Sequence, residues 1–242
     1  MFEKINAAET LSYARKLHEI ATHVTKDPRQ HEVYTQGTQI ALVCYLRHIA
    51  SSRRVVVCNT HIACNYNHRD TQLAQVACLL SFVEERLPAL PSSSSSDPPP
   101  VALLCMDANS MPSTGFYALL EEGRLPITHP DASNVDASIP SILPHLLLQQ
   151  QHEGEVCYHH SLALRSAMKH VNGSEPAMTT VKGKPSDFEG CLDYIFYSSN
   201  SAEAVQALRI PPRDALKSIN GGIPNGIIPS DHVPLGAVIQ FK

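Results

Sequence analysis

The chain is most informative first in what it lacks. No stretch approaches the roughly 20 consecutive apolar residues that cross a bilayer, and the N-terminus has no apolar signal core. Membrane insertion and secretion are therefore not expected. The seven cysteines show no CxxC spacing. They are scattered and several sit in apolar runs, so they are expected to be reduced core residues of an intracellular protein. The expected compartment is the cytoplasm, with a mitochondrial address disfavoured by Glu3 and Glu9 near the N-terminus. There is no excess of positive charge: the net charge is -4, which argues against an unspecific nucleic-acid coat. GxSxG, P-loop and HExxH motifs are all missing, so acyl transfer, nucleotide-driven motors and zinc proteolysis lack their parts. No internal repeat is visible.

What is present suits one sizeable core: 242 residues, 43% of them apolar. Residues 5 to 24 carry Ile5, Leu11, Leu17, Ile20 and Val24 at spacings that predict an amphipathic helix. Gln39–His48 and Arg54–His61 read as two β-rich runs joined by a short polar turn, a hairpin pattern. Asp70–Leu87 reads as a helix with one buried face, stopped by Pro88. Residues 88–100 (PALPSSSSSDPPP) are a low-complexity Ser/Pro segment with nothing to bury, expected to be a disordered surface insertion. Gly115–Gly123 reads as a short helix with a glycine stop, residues 124–156 as irregular, and Cys191–Tyr197 and Ser230–Phe241 as strands. Strands and helices alternate without a strict βαβ rhythm, which favours an α/β sandwich with mixed sheets.

Four polar clusters abut these strands: Asn59 with His61, Asp107 with Asn109, Asp193, and Asp231 with His232. Val101–Cys105 runs straight into Asp107, Asn109 and Ser110. Residues two apart at a strand end share a side, so Asp107 and Asn109 could reach one phosphate or one cation. The same stretch also reads as a strand followed by an Asx turn closed by Pro112. A histidine at a strand edge is more often a hydrogen-bonded core residue than a catalyst. Asp193 is harder to dismiss, because a carboxylate in an apolar strand must be paired to offset its desolvation, and His232 is a natural partner. Asp and Asn oxygens suit magnesium, a hard cation that leans on one or two carboxylates plus substrate phosphate. The inventory is one for phosphate-ester hydrolysis.

VCNTHI (57–62), MDANSMPSTGFY (106–117), CLDYIFYS (191–198) and PSDHVPL (229–235) resemble the ordered motifs of the endonuclease/exonuclease/phosphatase superfamily. HSLALRSA, EPAMTT and DFEGCLDYIFYS are closest to its deadenylase, nocturnin, Angel and 2′-phosphodiesterase branch. The resemblance implies a four-layer α/β sandwich, dependence on magnesium or its substitute manganese, and hydrolysis of a phosphodiester at an RNA 3′ end such as oligoadenylate, with mRNA-decay proteins as partners. It gives Asp107 the role of activating water, with Asn109 beside metal and phosphate. It gives His232 the scissile phosphate, Asp193 the orientation of His232, and Asp231 a place at the metal. Asn59 and His61 would line the phosphate pocket, and Phe188 would stack on the terminal base. Against the family pattern, Met106 stands where a glycine usually precedes the aspartate, and Gly183 falls near the base-recognising asparagine.

Nothing before Gln39 resembles the family's asparagine-bearing strand or its Gln-Glu motif, and Glu3, Glu9, Glu19 and Glu32 all lack a strand-ending apolar context. The chain therefore resembles the C-terminal part of a catalytic domain, one partial domain over 1–242, whose activity would be weak or absent. The alternatives are a non-catalytic scaffold, or a phosphatase of a phospholipid or inositol phosphate.

Overall fold

The computed structural model describes residues 1–24, 37–64, 69–90, 97–132, 142–217 and 221–242. The N-terminal stretch departs from the expected helix. Phe2–Lys4 (β1) and Glu9–Ser12 (β2) are short strands, and only Tyr13–Val24 (α1) is helical. The tertiary context overrides the helical spacing, because both strands find backbone partners along Ile40–His48 (β3). β3 pairs antiparallel with Arg54–His61 (β4), the expected hairpin.

The next connection sets the topology. Arg69–Arg86 (α2) crosses over and delivers Val101–Asp107 (β5) parallel to β4. A parallel pair needs such a crossover, whereas a hairpin would have made it antiparallel. Gly115–Glu122 (α3) follows, capped by the Thr114 hydroxyl and closed by Gly123 in the left-handed region at φ 71°. Residues 124–156, expected to be irregular, contribute Arg124–Pro126 (β6), Leu148–His152 (β7) and the start of Glu155–His159 (β8), a small three-stranded sheet in the order β6-β8-β7. Leu164–Ser166 (β9) leads into Ala167–Asn172 (α4). Thr180–Lys182 (β10) and Phe188–Gly190 (β11) form a two-stranded ribbon. Asp193–Ser198 (β12) returns to the main sheet, and Ala202–Ala207 (β13), Arg213–Leu216 (α5) and Ala237–Phe241 (β14) complete the chain, with β13 and β14 paired.

The main sheet has the order β1-β3-β4-β5-β12-β9, with β2 beside β1 on β3. Its two faces are unequal. Ala41, Val43, Val56, Cys58, Ala102, Leu104, Tyr194 and Phe196 point into the principal core, where α1, α2 and α3 pack. α2 is more deeply buried than one apolar face requires, since every residue from Asp70 to Leu80 is buried. The opposite face carries Val55, Val101 and Tyr197, covered by Ala202 and Ala204 of β13 and Ala167 of α4. Helices, main sheet and the β13–β14 ribbon thus stack as an α/β sandwich with mixed sheets. Toward one end this second face opens, and Ile40 and Leu42 are 47% and 44% exposed.

All seven cysteines are unpaired thiols, and burial pushes those of Cys58, Cys78 and Cys191 up to about 12, which leaves them protonated and inert. Among the described residues no helix is long and apolar enough to cross a membrane. The centre of the Ser/Pro insertion, residues 91–96, lies outside the described residues. Its flanks are held: Arg54, itself buried, donates to the carbonyls of Leu90 at 3.0 Å and Pro98 at 3.2 Å, and Arg53 donates to Pro99 at 3.2 Å. Replacing Arg54 by Met removes these donors and leaves a buried carbonyl, so Arg54→Met is expected to cost about 1–3 kcal/mol in urea denaturation. Unchanged stability would show the clasp to be idle.

Candidate active site

Strand register assembles the site. β4 and β5 run parallel with His61 opposite Asp107, and β12 runs antiparallel to β5 with Asp193 opposite Asp107. The ends of β4 and β5 and the beginning of β12 therefore meet in one row on the more open face of the sheet. Asp193 is the first residue of its strand, not an interior one as the apolar run suggested. Its partial burial comes from its neighbours.

His232 comes from elsewhere. The expected strand at Ser230 begins only at Ala237, and Asp231 and His232 lie in the loop before it. A single bridge between Thr180 and His232 tethers that loop to β10. Val233 anchors it further in a small core with Met178, Val181, Leu216 and Ile223.

The His232 Nδ1–H donates to Asp193 Oδ2 at 2.7 Å, and this bond holds the imidazolium form above the usual histidine range. His232 Nε2 then faces Asp107 Oδ2 at 3.9 Å. Thr179, fully buried, donates its hydroxyl to the same Asp193 oxygen and accepts from the amides of Leu192 and Asp193 at 3.0 and 3.2 Å. Asp107 Oδ1 accepts the Asn109 amide at 3.0 Å. Burial, and then the charge of Asp193, hold the Asp107 carboxyl above the usual carboxylate range.

Asn109 joins the two parallel strand ends. Its Nδ2 donates to the Ile62 carbonyl at 2.9 Å and to His61 Nε2 at 3.0 Å. A carbonyl only accepts, so the first contact fixes the amide orientation, and the second assigns the His61 proton to Nδ1. Asp107 Oδ2 lies 3.4 Å from the same Nε2 without being its hydrogen-bond partner. The hydroxyl of Tyr194 reaches the carbonyls of Ser110 and Cys191 at 2.7 and 2.8 Å, locking the β5 exit to the β12 entry.

Asp107, Asp193 and His232 are the metal-capable group among the described residues, with ligand atoms within 4.8 Å of one another. Asp107 and Asp193 line a cleft of about 390 Å³ with Asn59, His61 and Cys105, and His232 adjoins it through its contacts with both carboxylates. Asp231 and Phe188 are in neither the metal-capable group nor the cleft lining. The Asp231 carboxylate is exposed and paired with Lys182 Nζ at 3.7 Å, and its carbonyl accepts from Thr180. Phe188 lies on the β10–β11 ribbon: a Cβ at Gly190 would meet Phe188 Cζ at 3.0 Å and Met111 Sδ at 2.5 Å, so that glycine keeps the ribbon close to the β5 exit loop. Sequence reasoning missed Thr179, Gln72 and Gln75. Thr179 has no local signature, but the two glutamines of QLAQVACLL (72–80) break an otherwise apolar helix and mark themselves as buried polar groups with a task.

The fold is that of a DNase I-like sandwich. Searched family models give no match. The chain is 31% identical over 218 residues to the CCR4-Not complex 3′-5′-exoribonuclease subunit Ccr4 of Mycosarcoma maydis, covering 84% of this chain and 30% of that protein. It is 28% identical over 221 residues to 2′,5′-phosphodiesterase 12 of Homo sapiens, covering 89% and 31%. The crystal structure of Angel2, a 2′,3′-cyclic phosphatase, superposes with a TM-score of 0.69 at 23% identity, covering 98% of this chain and 66% of that one. The human nocturnin catalytic domain gives 0.58 at 18% identity, covering 100% and 60%. The chain belongs to the endonuclease/exonuclease/phosphatase superfamily, in the branch of the deadenylases, Angel proteins and 2′,5′-phosphodiesterase. It spans about 30% of the length of these curated relatives.

Gly222 packs on β10, the strand that tethers the His232 loop: a Cβ there would stand 2.5 Å from the Gly183 nitrogen and 2.6 Å from the Val181 carbonyl oxygen. Backbone cannot yield as a side chain does, so Gly222→Ala is expected to cost about 1–3 kcal/mol. Hydrogen exchange should rise at 229–233 and stay unchanged in β5. Uniform exchange across the chain would contradict this dependence.

Proposed function

We propose that this chain carries the chemistry of divalent-metal-dependent phosphodiester hydrolysis at RNA 3′ ends, of the poly(A) or 2′,5′-oligoadenylate type. The observation that carries it is the convergence of Asp107, Asp193 and His232 from β5, β12 and a distant loop, with Asn109 bonded to Asp107, beside one cleft. In this reading Asp107 takes a proton from the attacking water as the new P–O bond forms and the bond to the ribose oxygen breaks. The leaving oxygen takes its proton from solvent. His232, charged and held through Nδ1 by Asp193, donates from Nε2 to a non-bridging phosphate oxygen and stabilises the developing charge. Asn59 and His61 line the phosphate side of the cleft, and Phe188 is the candidate for base stacking at its margin.

The donor set fits a hydrated magnesium or manganese ion. Asp107 and Asn109 would hold it, and a cation there would relieve the repulsion between Asp107 and Asp193. Such an ion supplies Lewis-acid stabilisation of the phosphate oxygens and lowers the pKa of bound water. Binding should be weak, because Asp193 is already committed to His232 and Thr179, and the described N-terminal glutamates are engaged elsewhere. Glu3 pairs with Arg47, Glu9 with Arg86 and Tyr45, and Glu19 with Arg15. Glu32 lies outside the described residues. Asp231 would join the metal only by leaving Lys182.

The names of the relatives, a 3′-5′-exoribonuclease subunit and a 2′,5′-phosphodiesterase, support an RNA substrate, and a cytoplasmic setting beside mRNA-decay proteins is part of the proposal. The same commitment of the acids favours a second reading, a module that binds the RNA end without cleaving it.

Three substrates separate these readings: 3′,5′-oligo(A), 2′,5′-oligo(A) and an RNA ending in a 2′,3′-cyclic phosphate, each with millimolar magnesium or manganese. Slow release of AMP from one oligoadenylate is expected, falling about 10²–10³-fold in Asp107→Asn and His232→Ala with the circular dichroism unchanged. Turnover that persists in EDTA or in His232→Ala would refute the hydrolytic reading, and binding by anisotropy without product would favour the module.

A further inference from the structure

The buried carboxamide of Gln72, on the side of the sheet remote from the cleft, touches both loops that carry the site. Its Nε2 donates to the Ala63 carbonyl at 2.9 Å and to the Asn109 carbonyl at 3.0 Å. Its Oε1 accepts from Ser110 Oγ at 3.2 Å. Two donors and one acceptor bond are thus spent on the segments that leave β4 and β5. Gln72 is 2% exposed, as is its neighbour one turn along, Gln75, whose Oε1 accepts the Ala63 amide at 3.0 Å.

The segment being held needs support. Asn109 is in the left-handed region at φ 47°, a conformation that a non-glycine residue adopts at a cost. It points its amide at Asp107 Oδ1 and its side-chain nitrogen at Ile62 and His61. The direction of the Asn109 carbonyl is linked to both through one peptide unit and one Cα. A donor fixed on a buried helix and aimed at that carbonyl sets the angle at which Asn109 meets Asp107 and His61.

We infer that Gln72 is a positioning residue of the site: it clasps the exits of β4 and β5 from behind and fixes Asn109, and through it the Asp107–His61 spacing. It touches neither substrate nor reacting atoms, and the inference rests on the hydrolytic reading only for its kinetic consequence. A role confined to general stability would loosen α2 and the core together. A positioning role loosens two loop ends and leaves the core intact.

The full chain with Gln72→Met keeps the shape and loses the donors, and Gln72→Glu keeps the shape but sets a carboxylate against two carbonyls. Hydrogen exchange of the folded variants is expected to lose about tenfold or more protection at 61–64 and 107–111 together, with 76–83 unchanged. On whichever oligoadenylate the wild type cleaves, kcat should fall about 10- to 100-fold at unchanged KM. Protection unchanged at both loops, protection lost throughout α2, or a wild-type kcat in Gln72→Met would each overturn the inference. If the wild-type chain cleaves none of the substrates, the hydrolytic reading falls and the exchange experiment alone decides the role of Gln72. Should Gln72→Glu fail to fold, Gln72→Met carries the test.

Discussion

Everything chemical in this molecule depends on the register of three strands. Because β4 and β5 are parallel, they finish at the same edge of the sheet. Because β12 is antiparallel to β5, it starts there. One residue of slip in either pairing would turn Asp107 or Asp193 to the helical side of the sheet, where the core is apolar. The crossover α2 enforces the parallel pairing, and its burial among Leu73, Val76, Leu79 and Leu80 locks the register. The hydrophobic core thus does more than stabilise: it decides which carboxylates meet.

The two faces of the sheet divide the labour. On the helical side, apolar packing is interrupted by polar groups with defined partners. Tyr13 bonds Thr60, which in turn reaches the Ile40 carbonyl, and the two α2 glutamines reach the strand-end loops. On the other side, the β13–β14 ribbon covers the end remote from the acids and leaves the acidic end open. Access for a ligand follows from that partial cover.

The sequence was legible where the signal was local. The β3–β4 hairpin, α2, β5 and α3 with its Gly123 stop follow from apolar spacing and terminal glycine, and the pairing of Asp193 with His232 follows from the cost of burying a lone carboxylate. Long-range pairing was not legible. Residues 2–4 and 9–12 form strands because β3 offers them an edge, and no window of their own sequence reports that. The three-stranded sheet around β8 is built from short polar strands with no alternation strong enough to notice. Thr179 escaped for a similar reason: its role exists only once β10 and the β11–β12 connection lie side by side. Asp231 shows the converse limit: it adjoins His232 in sequence, yet its carboxylate pairs with Lys182.

The arginine clasp at the foot of β4 has a consequence for how this chain tolerates change. Arg53 and Arg54 fix Leu90, Pro98 and Pro99, so the low-complexity stretch starts and stops at two anchored points on a rigid strand. Arg54 alone reaches both points, Leu90 before the stretch and Pro98 after it, so a single guanidinium sets the distance between them. A change at that one residue therefore acts on two places in the chain at once.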